Sequence, residues 1–274
     1  MAKLYLRMSG GIGNQFIQYI VVKHLNLNVE FTLTLDTNSG FAADYEYKRS
    51  WTLNELIRIE EKCVKVSLLY MRLLKLISKI KLLSYILGVR TIYSIVDIDK
   101  FKTDMQGARL IIVDSNLQEY HDFDSVKADL NSSISVKDSS KKVDVGEWCC
   151  LAHFRITDHV SDFDQLQFLE KVITRCGNTW KKLLIHSNNV EETKVILSNS
   201  ELDLIRNATV EKKTEKIAIA EMSCANVLIT GYSTFGWTGG FLNKVGTVIC
   251  PSNEIEEKNF VWKKNKKLKG WTEI

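Results

Sequence analysis

The stretch that most constrains the fold runs from 225 to 242: Ala225-Asn226-Val227-Leu228-Ile229-Thr230-Gly231-Tyr232-Ser233-Thr234-Phe235-Gly236-Trp237-Thr238-Gly239-Gly240-Phe241-Leu242. Its short apolar, β-branched opening predicts a buried strand. Gly231 then predicts a turn, and Ser233 and Thr234 stand where a new helix begins. A strand that stops at a glycine and resumes as a helix aims backbone N–H groups and small hydroxyls at one point, a geometry that suits a phosphate.

Composition excludes several classes. At 274 residues, with 45% hydrophobic and 26% charged residues, the chain can bury a full core in one or two domains. The net charge of +4 is mild, and no nucleic-acid partner is expected. Six cysteines form no CxxC pair, and Cys149 and Cys150 are adjacent, which speaks against zinc and against a disulfide framework. Buried reduced thiols in a cytoplasmic protein are expected instead. The N-terminus lacks the apolar core of a signal peptide. There is no run of about 18 apolar residues, so no membrane span is expected.

In chain order, Leu4 to Met8 predicts a strand, Ser9 to Gln15 a glycine-rich turn, and Phe16 to Leu25 a helix. The GGxG spacing is not that of the dinucleotide fingerprint, and tight-turn geometry explains it as readily as ligand contact. Val29 to Leu35 is a second strand and Trp51 to Ile59 a short helix. From Lys62 to Leu87 the chain is basic and amphipathic, with Lys65, Arg72, Lys75 and Lys79 in one sector at about 100° per residue. This reads as a helix or helix pair with a solvated face, or as a surface that docks on an anionic membrane. Further on, Arg109 to Asp114, Trp148 to Phe154, Lys182 to His186 and Thr247 to Cys250 predict strands. Helices are expected over Asp122 to Leu130, Phe163 to Cys176, Asn189 to Leu197 and Glu215 to Ala225. The polar stretch 131–145 marks a domain boundary, giving domains 1–140 and 141–274. Alternating strands and helices predict a parallel sheet in the second half, with ligands beyond the carboxyl ends of its strands. The basic run 263–269 reads as a solvated tail, or as a phosphate or membrane contact.

Three strand ends could carry chemistry. After the Trp148 strand, His153-Phe154-Arg155-Ile156-Thr157-Asp158 places an arginine where a diphosphate can be gripped bidentately. Asp158 then holds Arg155 or serves as a carboxylate of the site, although an Arg and an Asp three apart also make an ordinary surface ion pair. Ile185-His186-Ser187-Asn188-Asn189 is a second strand end, equally readable as an N-cap cluster. The third is the stretch 225–242.

Taken together, these stretches resemble glycosyltransferase family 11, the bacterial α-1,2-fucosyltransferases. Gly10 to Tyr19 looks like the family's GGLGNQMFQY opening, and His153 to Asp158 is similar to its HxRRxD motif. Ile185 to Asn189 falls where the family has FSDD or FSND, and Tyr232 to Leu242 looks like NSTFSWWGAWL. Order and spacing match from residue 4 to about 250.

The resemblance implies an α/β, GT-B-like fold of two Rossmann-like domains facing across a cleft, the N-terminal one on the acceptor side and the C-terminal one binding the GDP-sugar. It implies inverting transfer of L-fucose from GDP-fucose to the 2-hydroxyl of a galactoside, without cofactor or obligatory metal. Asp97-Ile98-Asp99, Asp122-Phe123-Asp124 and Asp162-Phe163-Asp164 fit a DxD pattern, but they fall outside the family motifs and read as helix caps. The implied donor site comprises Arg155, Ser233, Thr234 and the amides around Phe235, with Gly11, Gly13, Asn14 and Gln15 from the N-terminal domain, and Ser187 and Asn188. His153 corresponds to a position near the guanine. Glu215, or else Glu221, reads its N1 and N2. Asp158, or a phosphate oxygen, takes the acceptor proton.

Two departures stand out: Ile156 replaces the second arginine, and Tyr232 the Asn of NSTF. A lost charged donor costs on the order of 3 kcal/mol in the transition state, about a hundredfold in rate. Transfer of a related sugar such as colitose, or donor binding without catalysis, are the alternatives. The basic segments suggest a lipid-linked acceptor of O-antigen or lipopolysaccharide synthesis and peripheral contact with the inner face of the membrane.

Overall fold

Leu4 and Leu6 are fully buried along the first strand, β1 (Ala2–Arg7), which lies at the centre of a parallel sheet. The structure, a computed structural model, describes residues 2–137, 149–154, 164–176, 180–252 and 267–274. The chain divides into two units, Met1–Ile134 and Ser135–Ile274.

In the first unit, β1 leads into α1 (Ile12–Asn28) and β2 (Phe31–Asp36), followed by the short α2 (Leu53–Leu56) and β3 (Lys62–Val64). Next come α3 (Leu68–Lys79), α4 (Lys81–Leu87), β4 (Val89–Ile92), α5 (Ile98–Met105), β5 (Leu110–Val113) and α6 (Phe123–Leu130). The sheet order is β3-β2-β1-β5-β4, and every described pairing is parallel. In β5 the run Leu110-Ile111-Ile112-Val113 is nearly continuously buried, as expected of a parallel strand covered on both faces.

The second unit contains β6 (Cys149–Phe154), α7 (Gln165–Cys176), β7 (Lys182–Ser187), α8 (Val190–Ser198), α9 (Asp203–Arg206) and β8 (Thr209–Glu211). It continues with α10 (Glu215–Cys224), β9 (Val227–Ile229), α11 (Thr234–Leu242), β10 (Thr247–Cys250) and β11 (Thr272–Glu273). Its sheet is parallel, in the order β11-β10-β9-β6-β7-β8. Counted from β6, this is the doubly wound 3-2-1-4-5-6 arrangement.

Several expectations need correction. The helix expected from Phe16 begins at Ile12, because Gly10 makes the turn alone with φ +77° and Gly11 is the N-cap. The basic segment from Lys62 is the expected pair of helices, divided at Ile80, but it opens as the strand β3, which was not expected. Strands β4 and β8 and helices α5 and α9 were not anticipated; three of them are only three or four residues long, too short for a periodic signal. The chain from 267 onward is no solvated tail. Leu268, Trp271 and Ile274 are buried, and β11 pairs with β10; residues 263–266 lie outside the described residues. Cys250 is buried as expected, but Cys63 and Cys176 are exposed.

Candidate functional site

In the second unit the chain leaves the central strands β6 and β9 toward opposite edges of the sheet, so the loops after them diverge at a topological switch point. His153 stands at the end of β6 and Phe235 in the first turn of α11, after β9. Their ring centroids lie 4.7 Å apart, with the planes tilted by 39°. The turn between β9 and α11 is fixed from below. Thr230 donates from its backbone N to the carbonyl of Ile249 (2.8 Å). Ser233 is the N-cap, its Oγ accepting from Phe235 N (3.1 Å). Tyr232 donates its hydroxyl to the carbonyl of Ser252 (2.9 Å) and acts as a strut.

The glycines of α11 allow close packing. A Cβ on Gly239 would meet Met222 of α10 at 2.6 Å, and one on Gly240 would meet Trp271 at 2.7 Å. The body of the helix is therefore packed tightly, with Trp237 at 0% exposure, while Thr234 and Phe235 at its start are only partly buried.

At the end of β7, Ser187 and Asn189 form an N-cap cluster. Asn189 accepts from Glu192 N (3.3 Å) and donates to the Glu192 carboxylate (2.8 Å), a reciprocal cap. Ser187 is buried, and its Oγ accepts from Asn189 N (3.1 Å) and lies 2.6 Å from Thr193 Oγ1. Ser187 thus shapes the turn, while Asn188 is exposed beside it.

Beside Ser187, His186 opens a charged network that sequence reading missed. Its Nε2 lies 2.7 Å from Glu221 Oε2, and both side chains are nearly fully buried. Lys213 Nζ reaches Glu221 Oε1 (2.5 Å) and Glu211 Oε2 (2.8 Å). Burial lowers the pKa of His186, against the pull of Glu221, and so favours the neutral imidazole. Burial would also lower Lys213, but Glu211 and Glu221 outweigh it and hold the ammonium charged. The ligand atoms of His186, Glu211 and Glu221 lie within 4.8 Å of one another, close enough for a metal ion. The Lys213 ammonium already bridges the two carboxylates. Glu221 is therefore engaged in the network and not available to a purine edge, whereas Glu215, in the first turn of α10, is exposed.

In the first unit the glycine turn is equally tied. Gln15 is buried and its amide is saturated: Nε2 donates to the carbonyls of Gly10 (3.0 Å) and Ser50 (2.9 Å), and Oε1 accepts from Thr52 N and Leu53 N (3.1 Å each). Gln15 is a strut of the turn. Gln18 binds Ser9 and Ser115 in the same manner. Asn14 is half-buried and accepts from Gln118 Nε2 (2.9 Å). Gly13 lies buried in α1, and a Cβ on Gly11 would meet nothing within 4 Å. No side-chain hydrogen bond caps the start of α1.

Beneath the turn, Arg7 donates to Asp114 (2.7 Å) and to Ser39 Oγ and O (3.1 and 3.0 Å). Lys75 also pairs with Asp114. Burial alone would raise the Asp114 carboxyl, but Lys75 and Arg7 hold it below the usual range. Lys75 is thus committed inward and does not share the solvated face expected for it.

Asp97 and Asp122 cap α5 and α6, accepting from Lys100 N (2.7 Å) and Ser125 N (3.0 Å). Asp164 accepts from Gln167 N (2.9 Å) at the start of α7. Asp97, Asp122 and Asp164 are thus caps, while Asp99 and Asp124 stand in the first turns of α5 and α6. Arg155 and Asp158 lie outside the described residues.

No protein-family model and no curated protein matches this sequence. Solved structures do match in shape. A FUT1 variant of Arabidopsis thaliana in complex with GDP superposes with TM-score 0.55 at 12% identity, over 94% of this chain and 71% of that one. NodZ, an α-1,6-fucosyltransferase of Bradyrhizobium co-crystallised with GDP, gives TM-score 0.56 at 11% identity, over 92% and 96%. POFUT1 in complex with GDP-fucose gives 0.54 at 10%, over 90% and 97%. These similarities establish the fold. The chain has the α/β architecture of the fucosyltransferases, with its own residues at the strand ends.

Proposed function

We propose that this chain is a glycosyltransferase that takes its sugar from a GDP-linked donor and holds the GDP in the unit Ser135–Ile274. The observation that carries this reading is the meeting of His153 and Phe235 at the switch point of a doubly wound sheet. The fold supports it, because neighbours of the same architecture were captured with GDP or GDP-fucose. His153 and Phe235 are assigned to the base side of the nucleotide and Glu215 to the guanine edge. Ser233, Thr234 and the start of α11 are assigned to the phosphates.

Within that class we read the chain as a member of glycosyltransferase family 11, transferring L-fucose from GDP-fucose with inversion to the 2-hydroxyl of a galactose-like acceptor of a surface glycan such as O-antigen. In this step the bond from the anomeric carbon to the β-phosphate oxygen breaks, and its electron pair stays on the phosphate. A bond to the acceptor oxygen forms, and the acceptor proton goes to Asp158 or to a phosphate oxygen. Charge developing on the leaving group calls for preorganised donors. Arg155, next in the chain after Phe154, is assigned as the fixed cation, with the Ser233 and Thr234 hydroxyls beside it. The unit Met1–Ile134 is assigned to the acceptor side, with Asn14 and the amides of Gly11 to Gly13 as its ligand-facing groups; Gln15 and Ser187 act by positioning.

The test is GDP release from GDP-fucose with and without a galactoside. Acceptor-dependent GDP release with a fucosylated product by mass spectrometry is expected. GDP binding without turnover would remove the transferase reading, and turnover confined to another GDP-sugar would reassign the donor.

A further inference from the structure

Helix α3 carries two apolar faces. Met71 and Leu74 are buried against β4 and β5, together with Val89 and Ile112. On the opposite side Leu69, Leu73, Leu76 and Ile80 follow one another at spacings of about four and three residues, which sets them in one outward stripe. All four are exposed, Leu69 to 79%. On α4, the next helix, Leu82 is 68% and Tyr85 87% exposed. An exposed apolar stripe of this kind calls for an occupant.

Charge identifies the occupant. Arg72 and Lys79, seven residues apart, stand exposed on one flank of the stripe, and exposed Lys81 opens α4. From Lys62 to Val96 the chain contains no Asp or Glu. A second copy meeting this face would bring a second set of the same cations, with no acid from either copy's segment to offset them. A bilayer with anionic headgroups satisfies both features: the leucines enter the acyl boundary, the basic side chains reach the phosphates, and Tyr85 suits the interface. No described helix is long and apolar enough to cross a membrane, which leaves docking parallel to the surface.

We infer that the outer face of α3 and α4 docks on an anionic lipid bilayer. This goes beyond the donor chemistry, and its test needs neither donor nor acceptor. The full chain is mixed with vesicles of phosphatidylcholine, with or without phosphatidylglycerol, and sedimented. The chain should partition onto the anionic vesicles, far less onto the neutral ones, and be released by salt. Leu73→Ser/Leu76→Ser and Arg72→Glu/Lys79→Glu should each lower partitioning by more than about tenfold, with unchanged circular dichroism. If the serine pair fails to fold, the charge pair carries the test alone. Absence of partitioning, or partitioning indifferent to the charge pair, would overturn the inference. A wild-type dimer that Leu73→Ser/Leu76→Ser dissociates would assign the face to a second copy instead.

Discussion

The imidazole of His153 rests against the ring of Phe235, 4.7 Å between centroids, and so ties the end of β6 to the first turn of α11. Two stretches far apart in sequence thereby converge where a doubly wound sheet leaves its carboxyl edge open.

Phe235→Ala should weaken GDP binding by about tenfold, since a tilted aromatic pair contributes on the order of 1 kcal/mol and also orients the partner ring. Calorimetric titration of GDP into the variant checks this, with a thermal melt to show that α11 is intact. Unaltered affinity would remove the base-side role of the pair.

Gln15→Leu should destabilise the protein by about 3 kcal/mol. Four backbone groups, of Gly10, Ser50, Thr52 and Leu53, would lose their partner, and leaving such groups unmet beneath a packed helix start is costly. Urea unfolding followed by circular dichroism measures it. A loss under about 1 kcal/mol would mean that water replaces the amide.

His186 sets a pH dependence. Its folded pKa lies below 6.5 because burial disfavours the imidazolium, so below pH 6.5 the unfolded chain binds more protons than the folded one. This contribution to stability is complete above that pH and is lost progressively as pH falls through it. His186→Gln should therefore flatten the decline in stability between about pH 7 and about pH 5 relative to wild type. Equal slopes for the two proteins would contradict a neutral buried imidazole.

Trp271→Ala should cost about 3 to 4 kcal/mol. Trp271 packs against Gly240 and lies 6.4 Å from Trp237 between ring centroids, so it fills the side of α11 next to the closing strand β11. Thermal unfolding reads the cost, and a shift of less than a degree or two would return this segment to the status of a loose tail.

Much of the second unit was legible because its strands are short apolar runs ended by turn residues: β10 and the strand–turn–helix of 225–242 stand where the pattern put them. The first unit was read less well. Its helix start was obscured by Gly13, which signals a turn locally but sits buried inside α1. Side-chain roles were the least legible. Gln15 and Ser187 lie in motif positions that suggest ligand contact, yet each spends its polar atoms on neighbouring backbone. Tyr232, read as a departure, finds its partner twenty residues on, at the carbonyl of Ser252. Lys213 and Glu221 carry no motif. Only the pairing of β7 with β8 and the packing of α10 bring them to His186. The C-terminal pairing was hidden by the basic run before it, because Leu268, Trp271 and Ile274 are too few to mark a strand.

The most direct test of the central claim is a calorimetric titration of GDP, with UDP and ADP as controls, into the full chain and into Arg155→Ala. The account predicts binding of GDP, at least tenfold weaker binding of the other two, and loss of GDP affinity in the variant. GDP bound no more tightly than UDP or ADP, or bound equally by wild type and Arg155→Ala, would contradict it.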